Sequence, residues 1–183
     1  MSDRIVEPDL GFVFGTKAET LARLWGCLRK ALLCEQYYFT ESDWYDDMAQ
    51  VLGVIDERFA GLKIVVRSSA IQEDGADQSM AGVFWSEIGV SADDVNAVKS
   101  AIEKVSESYL QNRPYNQILI QPFIEDVSLS GVATSRDITT GAPYFMINYD
   151  DFSGRTDSVT GGVKSKTIAI LRNGAQSLQS PRI

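Results

Sequence analysis

Two basic residues stand where a phosphate group could be held. Lys17 falls in the first turn of a helix opened by Thr16-Lys17-Ala18-Glu19, a capping box with threonine as N-cap and glutamate at N3. A lysine there opposes the helix macrodipole. The opposition is relieved if an anion sits at the same terminus, because free backbone N–H groups and the ammonium can grip a phosphate together. Gly15, just before, leaves room for a ligand to approach. The alternative is an exposed lysine snorkelling from a helix end. Arg67 closes the apolar run LKIVVR and is followed by Ser68 and Ser69. Its guanidinium could take a phosphate bidentately, with hydroxyls and loop amides adding donors, or could form a structural ion pair with Glu73, Asp74 or Asp77. Gln121 is an amide inside the apolar run ILIQPF and needs partners, either an adenine edge or neighbouring backbone.

Other chemistries are excluded by what the chain lacks. None of its 183 residues is histidine, which removes histidine triads, histidine metal ligands and phosphohistidine chemistry from it. Cys27 and Cys34 are too few for a structural zinc site, and a cytosolic chain keeps them reduced. Asp150, Asp151 and Asp157 surround Gly154 without the spacing of a calcium loop, so they read as solvated loop acids. A net charge of −8 with no basic block argues against nucleic acid or an anionic membrane as partner. The composition, 44% hydrophobic and 23% charged, is that of a globular protein. No apolar run approaches the ~20 residues that span a bilayer, and the N-terminus MSDRIVEPDLGF lacks the apolar core of a secretory signal, so a cytoplasmic location is expected.

Periodicity supplies the elements that must position these side chains. Leu21, Leu24, Leu28 and Leu32 continue one apolar stripe from Thr16 onward, which predicts a helix to about Leu32. Trp44, Met48, Val51, Ile55 and Phe59 predict a second helix from Ser42 to Phe59, stopped at Gly61. The aromatic cluster Tyr37-Tyr38-Phe39 with Trp44 and Tyr45 reads as packing between those two helices. Leu62–Arg67 and Met80–Val90 read as strands joined by a polar loop, and Ser91–Leu110 as a third helix with Val95, Val98, Ile102, Val105 and Tyr109 on one face. Four further strands are expected at Gln117–Ile124, Gly131–Arg136, Tyr144–Tyr149 and Lys166–Leu171, with a hairpin turn at Thr139–Pro143. Helices first and paired strands later predict an α+β layout on a mostly antiparallel sheet, with subdomains at about 1–90 and 91–183. No internal repeat is present, and the closing SLQSPRI reads as the start of another element.

Three segments together carry a resemblance. VVRSSAIQEDGADQSMAGVFWSEIGV (residues 65–90) resembles the VRSSA-x-ED…S-x-AG signature of the phosphoenolpyruvate synthase and pyruvate phosphate dikinase nucleotide-binding domain. FGTKAETLARL (14–24) is similar to that family's GGKxxxLxxL, and ILIQPFIEDVSLSGVATSRDITTGAPYFMIN (118–148) to its VQxMV…SGVxFTxDPxTG…xxIN. The resemblance implies an ATP-grasp fold in which ATP lies between two α+β subdomains. It also implies an activity: ATP phosphorylates a histidine on a separate domain, for transfer to pyruvate or a related acceptor.

Carried over residue by residue, Lys17 and Arg67 would bind ATP phosphates and stabilise the transferring charge. Ala81 and Gly82 would form a flexible loop over the phosphates, with Ser86 where the family commonly has threonine, and Gln121 would face adenine. Departures are Phe14 for the first glycine of GGK, Thr16 for a small residue, Ile138 for proline, and a shorter spacing between Lys17 and Arg67. ATP and Mg²⁺ are the implied cofactors, with the metal ligands in family motifs expected beyond the end of this chain. The chain alone is therefore expected to bind ATP weakly, if at all, and to be inactive, with phosphohistidine and acceptor domains as partners and a homodimer through an exposed sheet edge as a further expectation. Two other readings are a phosphotransferase of the same superfamily with rifampicin or glucan as acceptor, and a non-catalytic nucleotide-binding or interaction module.

Overall fold

Alternation along one strand decides the architecture of the first half. Ile64, Val66 and Ser68 are buried on one face of Lys63–Ser69, while Val65 and Arg67 point the other way and stay half-exposed. The computed structural model of the protein describes residues 12–70, 85–109, 115–155, 159, 165–172 and 177–178. In chain order the elements are α1 (Lys17–Leu24), β1 (Tyr37–Thr40), α2 (Glu41–Asp46), α3 (Met48–Phe59), β2 (Lys63–Ser69), β3 (Ser86–Ser91), α4 (Val95–Glu107), β4 (Gln117–Pro122), β5 (Ser130–Thr134), β6 (Tyr144–Asp150), β7 (Lys166–Leu171) and β8 (Ser177–Leu178). They divide into two compact units, Met1–Phe123 and Ile124–Ile183. Mixed helices and antiparallel sheets make this an α+β protein, as the sequence predicts.

In the first unit four strands run in the order β1-β4-β2-β3, each pair antiparallel. α2, α3 and α4 cover one face. Trp44, Val51, Ile55 and Phe59 on that side, with Val98, Ile102 and Val105 from α4, pack onto Phe39, Ile64, Val66, Ile118 and Ile120. Each such fully buried side chain contributes on the order of 1.5–3 kcal/mol of transfer free energy. A buried carboxylate, Glu41, is held at the edge of this core by the Asn116 amide at 2.9 Å and the Ser106 hydroxyl.

The second unit is a sheet in the order β5-β6-β7-β8, again antiparallel throughout. Asp137 Oδ1 accepts from the Thr139 and Thr140 N–H groups at 2.8 and 2.9 Å and shapes the turn between β5 and β6. Gly141 completes that turn at φ 70°.

Several expected boundaries move. The first helix stops at Leu24 rather than Leu32, because Trp25 is extended and Gly26 follows at φ 91°. Leu28 and Leu32, 40% and 100% exposed, continue the apolar spacing without being buried against the described residues. The second helix is two. Asp47, at φ −147°, ends α2 and caps α3 by accepting from the Gln50 N–H at 3.0 Å. Tyr37, Tyr38 and Phe39 form β1 instead of filling a gap between helices, although Phe39 does meet Trp44 in the core, ring centroids 6.2 Å apart. α4 begins at Val95, since Asp94 accepts from the Asn96 and Ala97 N–H groups and Ser91 belongs to β3. Asp150 is buried, not solvated; it accepts from the Phe152 and Ser153 N–H groups at 2.8 and 3.0 Å. Asp157 lies outside the described residues. β4 completes the sheet that β2 and β3 share, and that sheet lies within the unit Met1–Phe123.

One surface cluster beside this core has a pH signature. Glu87 Oε1 accepts from the Trp85 indole N–H at 2.7 Å and from Lys104 Nζ at 3.0 Å. The indole holds the Glu87 carboxyl below its ordinary range, partial burial opposes it, and the Lys104 ammonium adds to the lowering. A carboxyl whose folded pKa is depressed contributes stability above its unfolded pKa and loses it as pH falls through the folded value. Glu87→Gln should therefore flatten the fall of Tm below about pH 4.3 and leave its slope at neutral pH unchanged. An identical acid limb in the variant would contradict this account.

Candidate functional site

The face of the first sheet opposite α2, α3 and α4 collects the predicted site residues through strand register. Directly opposed residues of an antiparallel pair project to the same side. Arg67 on β2 opposes Leu119 on β4 and Ser86 on β3, and Leu119 in turn opposes Tyr38 on β1. The row across the face is therefore Tyr38, Leu119, Arg67 and Ser86. One step along lies Gln121, opposite Val65, which faces Ile88. Arg67 and Gln121 are thus diagonal neighbours on adjacent strands, with Cα atoms roughly 7–8 Å apart. Both are half-buried, and neither is held by an ion pair or side-chain hydrogen bond among the described residues. Glu73, Asp74 and Asp77, the candidate structural partners of Arg67, lie outside the described residues.

Lys17 arrives from the other direction. In the third row of this face Ser69 opposes Gln117, which opposes Thr40. The first turn of α1 sits on that row: the Ala18 N–H donates to Ser69 Oγ at 2.9 Å, and the Thr16 hydroxyl donates to Gln117 Oε1 at 2.5 Å. Lys17, between those two contacts, extends its ammonium to the Ser68 carbonyl at 3.2 Å, one residue beyond Arg67. Lys17 and Arg67, with the rest of α1, β1, α2 and α3 between them in sequence, thus both come to the C-terminal end of β2. Lys17, Arg67, Ser86 and Gln121 are brought together; Ala81 and Gly82 lie outside the described residues.

Two details of the sequence reading change. The capping box forms as expected, with the Glu19 N–H donating to Thr16 Oγ1 at 3.2 Å. With Ala18 donating to Ser69, the second and third helical amides already have partners, so those two amides do not join Lys17 in gripping a phosphate as at a free helix terminus. Gly15 is not open to a ligand either. A Cβ there would lie 2.1 Å from Glu19 Oε2, so the space belongs to the capping glutamate.

Sequence reasoning missed Ser69 and Gln117 as the residues that seat α1. A serine after VVRS and a glutamine before ILI carry no local mark of a partner 51 or 101 residues away. The described residues contain no group of three His, Cys, Asp or Glu side chains that could hold a metal ion, so none of them is assigned to Mg²⁺.

The sequence model of the pyruvate phosphate dikinase AMP/ATP-binding domain matches residues 39–179, more than half of the chain. The protein belongs to that family. Membership identifies it as an ATP-binding part of a pyruvate phosphate dikinase-like enzyme and agrees with the resemblance drawn from its motifs. Within this domain Arg67, Ser86 and Gln121 fall inside the matched span, whereas Lys17 precedes it and rests on its geometry beside Ser68. No curated protein matches the chain. Among the described residues no helix is long and apolar enough to cross a membrane.

Proposed function

We propose that this domain supplies the adenine-facing and phosphate-gripping surface of an ATP-grasp site in a cytoplasmic phosphotransferase. In this reading ATP phosphorylates a histidine on a separate domain, and the group passes on to pyruvate or a related acceptor. The observation that carries it is the convergence of Lys17, Arg67, Ser86 and Gln121 on one sheet face of a chain from this family. The two cations would neutralise the polyphosphate and the charge that spreads over the transferring group, which is how phosphoryl transfer is mostly catalysed. The Ser86 hydroxyl, directly across from Arg67, adds a donor to the same phosphates. Gln121, diagonal to Arg67, offers one donor and one acceptor to an adenine edge. The acceptor histidine must come from elsewhere, since this chain has none.

Calorimetric titration of Mg-ATP into the 183-residue chain tests the reading. Weak binding is expected, and Arg67→Ala should reduce it about ten- to hundredfold, the loss of a charged hydrogen bond of about 1.5–3 kcal/mol. Lys17→Ala should act in the same direction. Equal affinity in wild type and Arg67→Ala would remove Arg67 from the site. A single-turnover assay on the isolated chain should show no phosphate release from ATP.

A further inference from the structure

α1 is eight residues long and buries only Ala18. A helix that short is not stable by itself in water, and Ala18 is its one fully buried side chain, with Leu21 and Leu24 only half-buried. Its placement depends on polar contacts. Ser69 Oγ accepts from the Ala18 N–H, Gln117 Oε1 accepts from the Thr16 hydroxyl, and Gln117 Nε2 donates to Glu19 Oε1 at 3.0 Å. Ser69 and Ala18 are fully buried and Thr16 and Gln117 nearly so, which makes these bonds costly to leave unmade. Ser69 and Gln117 are also directly opposed on β2 and β4, so the pair forms a single rung that receives the first turn of the helix. Lys17 is the residue between the two attachment points, and its ammonium lies on the carbonyl that follows Arg67.

We propose that Ser69 and Gln117 are positioning residues for the nucleotide site: they staple α1 to the sheet so that Lys17 stands beside Arg67 as the second phosphate cation. The assignment rests on the nucleotide reading above. It adds that the register of two sheet residues sets the distance between the two cations.

The test is a double-mutant cycle on the full chain, with Mg-ATP affinity as readout. Ser69→Ala should weaken binding about five- to tenfold, the worth of one buried hydrogen bond, and Ser69→Thr, which keeps the hydroxyl, should restore it. In a Lys17→Ala background Ser69→Ala should have no further effect, because the two residues act as one unit. Gln117→Leu should behave as Ser69→Ala does. A Ser69→Ala loss that persists undiminished in the Lys17→Ala background would overturn the assignment, since it would then act through general destabilisation. Binding weakened by Lys17→Ala but untouched by Ser69→Ala and Gln117→Leu would overturn it while leaving the nucleotide reading in place. No binding of Mg-ATP by the wild type would overturn the reading and the assignment together. Amide hydrogen exchange separates these cases without nucleotide: residues 17–24 should lose protection in Ser69→Ala while β2 and β4 keep theirs, and unchanged protection of α1 would show that the staple does not hold it.

Discussion

Trp44→Ala should lower the unfolding free energy of the chain by about 3–5 kcal/mol and leave the nucleotide affinity of the folded molecules unchanged. Trp44 is 1% exposed, among the largest fully buried side chains, and comes from α2, a helix of six residues. Such a helix persists only because a side chain anchors it, and here the indole is set against Phe39 with ring planes tilted by 33°. Truncation removes the apolar area and leaves a cavity between α2 and β1 that the flanking α3 cannot fill without leaving the sheet. The affinity half of the prediction follows from strand alternation. Phe39 opposes Ile118 on the helix-covered face, whereas Tyr38 opposes Leu119 on the face that carries Arg67. A residue that acts through the covered face should change how many molecules are folded and not how a folded molecule meets a phosphate. Urea unfolding followed by near-ultraviolet circular dichroism measures the first part, and titration at a temperature where the variant is folded measures the second. A loss below about 1 kcal/mol would mean that α2 is anchored some other way. Weakened binding by fully folded protein would mean that the two faces are not independent.

The same alternation explains which parts of this architecture were legible in the sequence. β2 and β4 carry the apolar runs Ile64–Val66 and Ile118–Ile120, and the polar residues that follow them, Arg67 and Gln121, lie on the side of the sheet opposite the helices. The capping box at Thr16 and the stripe Val98-Ile102-Val105 are local patterns whose physics is local, so they appear where expected. The overextended first helix shows the limit. Leu28 and Leu32 keep helical spacing, but spacing creates a helix only when a surface receives it, and Gly26 ends the helix first. The break at Asp47 was hidden for a different reason. An aspartate in the middle of an amphipathic pattern reads as solvent-facing, while its carboxylate in fact caps a new helix. The seat of α1 was illegible altogether, since Ser69 and Gln117 are polar residues whose partners are set only by the completed sheet. Their role had to come from register, and with it came the correction that the α1 amides are already occupied.

Gly131→Ala should destabilise the second unit by about 1–3 kcal/mol, and Gly131→Val by more, although neither residue is foreign to a strand. Gly131 lies within β5, directly opposite Tyr149 on β6. A Cβ at this position would fall 2.5 Å from the Asn148 carbonyl oxygen and 3.1 Å from Tyr149 Cα. Those are backbone atoms of a strand that is paired on its other side with β7, so relief requires β6 to give up part of that ladder. The first glycine of the SGVATSRDITTG motif therefore has a steric reason that does not involve a positive φ or a ligand. Gly53 supplies the opposing case on the same chain. It is exposed within α3 and a Cβ there would meet nothing within 4 Å, so Gly53→Ala should stabilise by about 0.5–1 kcal/mol through the lost entropy of glycine in the unfolded chain. Measuring both by thermal unfolding distinguishes glycine as a spacer from glycine as a helix defect. If Gly131→Ala proved as stable as wild type, the close approach of β5 to β6 would have to be relieved by a shift of β5 itself, and the register from Ser130↔Asp150 to Thr134↔Met146 would not be the one the chain adopts.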